Sequence, residues 1–285
     1  MTIIDIDHLR GWIGKQAVFE QTIDPYPARA LGGLLDHRGV RATGGALPLP
    51  WHWLYFLETP SRASTSVDGH PERGGFLPPV PLPRRMWAAG QLIVQRPLRI
   101  GLPARKVSTV RSVESKEGRT GPLVFVTVDH ELSQEGEACV HEVQNLVYRE
   151  APLAAAPLPP GEPAQQQAQW CRTVTPDPVM LFRFSALTYN GHRIHYDRDY
   201  AIQQEFYPAL VVHGPLLATL LLDLLTSERP DATIKEFHFR ALRPAFDTDL
   251  VRLCGKVEND RVDLWTVDPQ GMVGMKAHAL IAEGR

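Results

Sequence analysis

The hydrophobic pattern of the C-terminal half begins with "VVHGPLLATLLLDLL", residues 211–225, apolar on nearly every side. Such a stretch predicts a helix wrapped by other structure, with Pro215 suited to the first turn, where its missing N–H is no loss. "SERPD" ends it. Four shorter stretches follow, "KEFHFRAL" (235–242), "DLVRLCGKVEN" (249–259), "RVDLWTVD" (261–268) and "MVGMKAHALIAE" (272–283). They alternate apolar and polar positions and are divided by turn residues such as Asn259-Asp260 and Pro269-Gln270-Gly271. That order predicts an antiparallel meander curved around the buried helix.

The N-terminal half repeats the succession. "QLIVQRPLRIG" (91–101), "VSTVRSVES" (107–115), "LVFVTVDHEL" (123–132) and "ACVHEVQNLVYRE" (138–150) read as four strands. Arg96-Pro97 lies in the first of them where the other half has Arg243-Pro244, and with the matching succession of strands this points to an internal duplication. No long apolar helix precedes these strands; "WHWLYFLE" (51–58) is the candidate. The Pro/Gly-rich excursion "GHPERGGFLPPVPLPRRMW" (69–87) is long enough that a function, or packing across the other half, is expected of it. Between the halves, residues 150–169 are rich in Ala, Pro and Gln and lack periodicity. The expected division is therefore 1–150, a linker at 151–169, and 170–285.

Composition narrows the classes. The chain has 285 residues, 44% of them hydrophobic and 22% charged, as in an ordinary globular protein. No run approaches the roughly 18 apolar residues that span a bilayer, and the start "MTIIDIDHLRGWIGK" does not read as a signal peptide. Cys139, Cys171 and Cys254 are scattered without metal-ligand spacing, which predicts reduced, buried thiols and a cytoplasmic protein. A net charge of −2 argues against a nucleic-acid partner.

The chemistry concentrates in "LTYNGHRIHYDRDYA", residues 187–201. Plain readings stand beside the functional ones. Most of the eleven histidines must be surface or hydrogen-bonded residues, His213 can serve only to start the helix, and Tyr189, Tyr196 and Tyr200 read as packing residues. His192, His195 and Asp197 form H-x-x-H-x-D, but no HExxH helix or cysteine pair supports a metal, and none is expected.

"FRFSALTYNGHRIHYDRDYA" (182–201) followed by "VVHGPLLATLL" resembles the hydratase-2 motif and central helix of MaoC-like (R)-enoyl-thioester hydratases. "HWLYFLETP", "GHPERGGFLPPVPLPRRMWAAG" and "KEGRTGPLVFVTV" resemble a narrower branch, the mitochondrial-type 3-hydroxyacyl-thioester dehydratases and the bacterial itaconyl-CoA or mesaconyl-CoA hydratases. The resemblance implies an α+β double hotdog. Only its C-terminal copy would be catalytic, and a degenerate N-terminal copy would help to form the acyl tunnel. The family motif has an aspartate, a histidine five positions on, and a glycine opening the helix. His195 and Gly214 match the last two; the aspartate position holds Asn190, and the next two motif positions hold His192 and Arg193.

Under that resemblance the substrate is an acyl-CoA thioester, and no cofactor is implied beyond the CoA it carries. Asn190, His192, His195 and Gly214 are the expected catalytic set. An amide cannot carry a proton, so the acid/base work moves to His195, with His192 the second candidate. The free N–H groups at the Gly214 helix start suit an oxyanion. Arg193, Asp197, His213, Arg84 and Arg85 are the expected substrate-binding set. Of these, Arg193 is placed against a substrate carboxylate, or with Asp197 to orient the histidines. Arg84 and Arg85 are placed at CoA phosphates, with a solvated pair as the plainer alternative. A short branched dicarboxylyl-CoA is the leading substrate, against a fatty (R)-3-hydroxyacyl thioester, a thioesterase activity or a non-catalytic acyl-binding role. A homodimer is plausible.

Overall fold

The predicted strands all join one antiparallel sheet of ten. The computed structural model describes residues 4–37, 43–118, 121–158, 160–164 and 167–283. The first half contributes β1 (Gln16–Thr22), β2 (Arg84–Val94), β3 (Pro103–Gly118), β4 (Gly121–Gln134) and β5 (Glu137–Arg149). The second contributes β6 (Trp170–Val174), β7 (Ala232–Ala241), β8 (Val251–Glu258), β9 (Arg261–Val267) and β10 (Val273–Glu283). Their order across the sheet is β1-β3-β4-β5-β2-β7-β10-β9-β8-β6, so each half has the same strand order and the two meet where β2 pairs with β7. At that seam a Cβ on Gly90 would lie 2.4 Å from the Phe239 ring, so glycine is needed for the strands to approach.

The duplication extends to individual hydrogen bonds. After β2, the N–H groups of Gln95 and Arg96 both donate to Cys139 O; after β7, those of Leu242 and Arg243 both donate to Gly274 O. The shared Arg-Pro thus marks one repeated turn in both copies.

Among the described residues, five α-helices accompany the sheet: α1 (Ile6–Arg10), α2 (Pro25–Leu34), α3 (Pro178–Leu187), α4 (Arg198–Gln203) and α5 (Gly214–Glu228). α2 and α3 are also equivalents, each following the first strand of its half and opening on Asp-Pro. Asp24 accepts the N–H of Tyr26 at 2.7 Å and Asp177 that of Met180 at 2.8 Å, with proline in the first turn. α5 is the central helix. Every residue from Leu216 to Leu225 is buried, each leucine contributing roughly 1.5–3 kcal/mol of transfer free energy. Asp223 in its midst is tolerated because Arg172 Nη2 and His37 Nε2 each approach its carboxylate at 2.5 Å.

In three places the structure departs from expectation. The N-terminal counterpart of α5 is a single 3-10 turn, Trp51–Leu54, not a helix over 51–58; Tyr55 is already extended and Phe56 has φ +57°. Within the linker, residues 161–164 are held against the β9–β10 turn: Val273 N–H donates to Glu162 O and Ala164 N–H to Gly271 O. The cysteines are not all buried, since Cys171 is exposed. Its sulfur lies 3.1 Å from that of Cys254, because β6 and β8 pair these two residues in register.

Candidate active site

The polar loop before α5 is built by hydrogen bonds that its own sequence supplies. α3 ends at Thr188, whose hydroxyl donates to Phe184 O at 2.7 Å, and Tyr189 turns the chain with φ +49°. Asn190 N–H donates to Ser185 O, and the Asn190 side-chain oxygen accepts the N–H of His192 at 3.0 Å. That short amide loop is an Asx turn, and it fixes where His192 leaves the chain. A 3-10 turn, Arg193–His195, follows, and Asp197 caps α4 by accepting the N–H of Tyr200 at 3.0 Å.

This turn delivers His195 to the mouth of α5. Its ring is buried, 7% exposed, and Nδ1–H donates to Val211 O at 2.7 Å. The bond fixes the tautomer, since a carbonyl can only accept; Nε2 keeps the lone pair. The ring stacks on His213 with centroids 3.6 Å apart, and His213 immediately precedes Gly214. Gly214 N–H has no acceptor among the described residues and Gly214 is only half-buried, so the helix start is open to a ligand oxygen. A Cβ there would stand 3.8 Å from Trp87 O, which places β2 directly beside the helix mouth.

The N-terminal half completes the cluster. Asp68 O accepts the N–H of Arg193 at 2.9 Å, and Gly69 packs so tightly that a Cβ on it would lie 1.8 Å from Gly191 O. This docking brings His70 onto His192, ring centroids 4.1 Å apart, while His192 meets His195 edge-on at 5.4 Å. Behind His70, Asp68 accepts both its N–H at 3.0 Å and its Nδ1–H at 2.9 Å. Four imidazoles and one carboxylate thus form a row ending at the helix start.

Burial sets the charge state of that row. Desolvation lowers His195 to about 4, with the neighbouring His70 acting in the same direction and the bond to Val211 opposing. It lowers His192, where His70 and His195 add to the effect, and holds His213 well below the imidazole range. All three are neutral at pH 7. Asp68 stays ionised because its bonds to His70 outweigh the cost of burial.

The sequence matches the family of hydroxyacyl-thioester dehydratases type 2 over residues 50–247. It is 46% identical over 270 residues to the mesaconyl-C(4)-CoA hydratase of Chloroflexus aurantiacus, covering 93% of this chain and 95% of that one. The chain belongs to this dehydratase family. The mitochondrial hydroxyacyl-thioester dehydratase type 2 of Schizosaccharomyces pombe is 29% identical over 261 residues, covering 82% of this chain and 84% of the relative. A MaoC-like dehydratase of known structure superposes with a TM-score of 0.74 at 13% identity, covering 97% of this chain and all of that one, which supports the double-hotdog fold.

Within this member of the dehydratase family, the expected catalytic residues Asn190, His192, His195 and Gly214 converge, and His213 with them. The other expected binding residues do not all do so. Arg193 bonds Asp197 through Nε and Nη2, donates to Val67 O and covers the Tyr200 ring, so it is a brace of the loop and not a free clamp. Asp197 is committed to Arg193 and to the α4 cap. Arg84 bonds Glu205 through both side chain and carbonyl and lies over Tyr207, which corrects its placement at a CoA phosphate. Arg85, half-buried, has no carboxylate partner among the described residues. Nor do His192, His195 and Asp197 assemble as metal ligands; among the described residues, the donor atoms that come within 4.8 Å of one another are those of Asp68, His70 and His192. Asp68 and His70 are the residues that sequence reasoning missed. The only signal was the loop "SVDGHPERGG", which carries them without spacing to the motif more than a hundred residues away.

Proposed function

We propose that this protein is a hydro-lyase that reversibly adds water to the double bond of a 2-enoyl-CoA thioester, a short branched dicarboxylyl-CoA of the mesaconyl type. The carrying observation is a neutral, tautomer-fixed His195 stacked at the opening of α5, whose Gly214 N–H has no acceptor among the described residues. The 46% identity to a mesaconyl-C(4)-CoA hydratase over nearly the whole chain favours the C5 substrate over a fatty one.

Hydration adds the oxygen of water to the β-carbon and a proton to the α-carbon. His195 Nε2 takes the proton that water loses and returns it to the α-carbon on the same face, so the imidazole ends as it began. Charge that builds on the thioester oxygen is met by the Gly214 amide and the positive end of α5. Burial keeps the base unprotonated but weak, and negative charge developing on the substrate restores its basicity as the reaction proceeds. Asn190 sets the turn. The Asp68–His70 pair supplies the carboxylate that the motif lacks, holding the His192 ring against His195.

Purified protein mixed with mesaconyl-CoA, itaconyl-CoA and crotonyl-CoA is expected to bleach the conjugated double bond and yield a product heavier by one water. His195→Ala is expected to lower kcat by about a thousandfold. Release of free thiol in place of a hydroxylated thioester would mean a thioesterase, and no change in any of the three would end the proposal.

A further inference from the structure

A dicarboxylyl thioester brings a second negative charge into the site, and a charge removed from water requires a cation or several hydrogen bonds. In a butenedioyl thioester that carboxylate is carried on the β-carbon, the atom that water attacks. Its partner must therefore stand beside the histidines and not out at the CoA phosphates.

The arginines near the site can be sorted by what already holds them. Arg84 is paired with Glu205 and Arg193 with Asp197. Arg73 donates to the carbonyls of Val80, Leu82 and Pro83. Arg85 alone of these four has neither a carboxylate nor a carbonyl partner among the described residues. It lies directly across the β2–β5 ladder from Tyr148, so the two side chains share a face. The Tyr148 hydroxyl is buried with Arg85 as its polar neighbour among the described residues, in a contact too loose to close a well-formed hydrogen bond, and Arg73 lies 5.3 Å over its ring. A guanidinium can only donate, so the buried hydroxyl still has its own proton to give, and a ligand oxygen would receive it. Arg85 lies two residues, about 7 Å of strand, from Trp87, the residue beside the mouth of α5. The charge of Arg85 acts on both His70 and His192. The nearby acid, Asp68, already accepts twice from His70, and Arg73 adds a further positive charge. The patch holds more cation than anion.

We infer that Arg85 and the Tyr148 hydroxyl form the subsite that receives the free carboxylate of the acyl chain, and so set the preference for dicarboxylyl over monocarboxylyl thioesters. This rests on the thioester reading above, and one binding measurement separates the two. Succinyl-CoA and butyryl-CoA form an unreactive four-carbon pair, with and without the carboxylate, while both carry the CoA phosphates. Calorimetry on the wild type is expected to show tighter binding of succinyl-CoA. In Arg85→Gln that preference falls by about a hundredfold, and in Tyr148→Phe by about tenfold, as for a buried charged hydrogen bond and a neutral donor to it. Arg85→Lys keeps the charge but not the fork and regains part of the preference. The ratio of kcat/KM on mesaconyl-CoA to that on crotonyl-CoA is expected to fall in parallel. Equal weakening of both ligands would assign Arg85 to the phosphates and overturn the inference, as would a wild type without preference. A retained preference with no hydration would sink the hydratase reading while leaving the subsite.

Discussion

His195 shows how far surroundings can shift one side chain. In water its imidazole would be half protonated near pH 6.5. Here the ring is buried against His213, its Nδ1–H is committed to Val211, and no acid touches it, so protonation is deferred to about pH 4. Protonation removes the base, hence kcat/KM must fall on the acid side, and the lowered value moves that fall well below the usual histidine range. Initial-rate measurements on the hydration reaction are expected to give kcat/KM constant within about twofold from pH 7 to 5. An acid limb centred near 6.5 would show that another group is the base. Asp68→Asn tests the row behind it. The variant keeps an acceptor for His70 but loses the charge, and a kcat about tenfold lower with little change in KM is expected. Both Asn190 and His195 were legible from motif spacing, whereas the part that Asn190 plays in the turn was not, because an Asx turn depends on which N–H its oxygen meets.

At the scale of elements, period-two alternation located eight of the ten strands because each has one face against the core. β1 and β6 escaped it: they are short edge strands of seven and five residues without a fully buried position, so their sequences carry no such contrast. "WHWLYFLE" misled in the opposite way. Four of its apolar side chains, Trp51, Leu54, Tyr55 and Phe56, are indeed buried, but burial in an irregular segment and burial on a helix leave the same composition. The junction of loop and motif at Gly69 and Gly191 is the element on which the site depends. Gly69 has φ +90° and no room for a methyl group. Gly69→Ala is expected to unseat the loop that carries Asp68 and His70, lowering kcat by at least about tenfold while costing about 2 kcal/mol of stability. Steady-state kinetics and thermal unfolding check the two parts, and wild-type kinetics in this variant would mean that the docking is dispensable.

Across the whole molecule, the β2–β7 pairing makes one sheet of two copies, so a single cooperative unfolding transition is expected despite the duplication. Its midpoint should depend on pH through the buried histidines. Their folded pKa values lie below the unfolded 6.5, so the unfolded chain binds protons that the folded one refuses, and stability falls as pH drops from 6.5 towards 4. His195 alone accounts for about 3 kcal/mol over that window. Glu142, held at about 2 although buried, chiefly by its bond to His52, adds a second loss only below about 4.5. Urea titrations at pH 7 and pH 5 should show the first loss and not the second; equal midpoints would mean that these rings are solvated.

The sequence by itself determined the duplicated succession of strands and the buried helix, because alternation and apolar runs are local properties of a chain. The pairing of His195 with the Gly214 helix start came from the resemblance of its motif to a known family. Only the tertiary structure decided that Asp68 and His70 stand behind His192, and that Arg84 is held by Glu205 while Arg85 has no acid among the described residues. Those facts depend on which distant segments touch, and contact between segments more than a hundred residues apart leaves no local period to read.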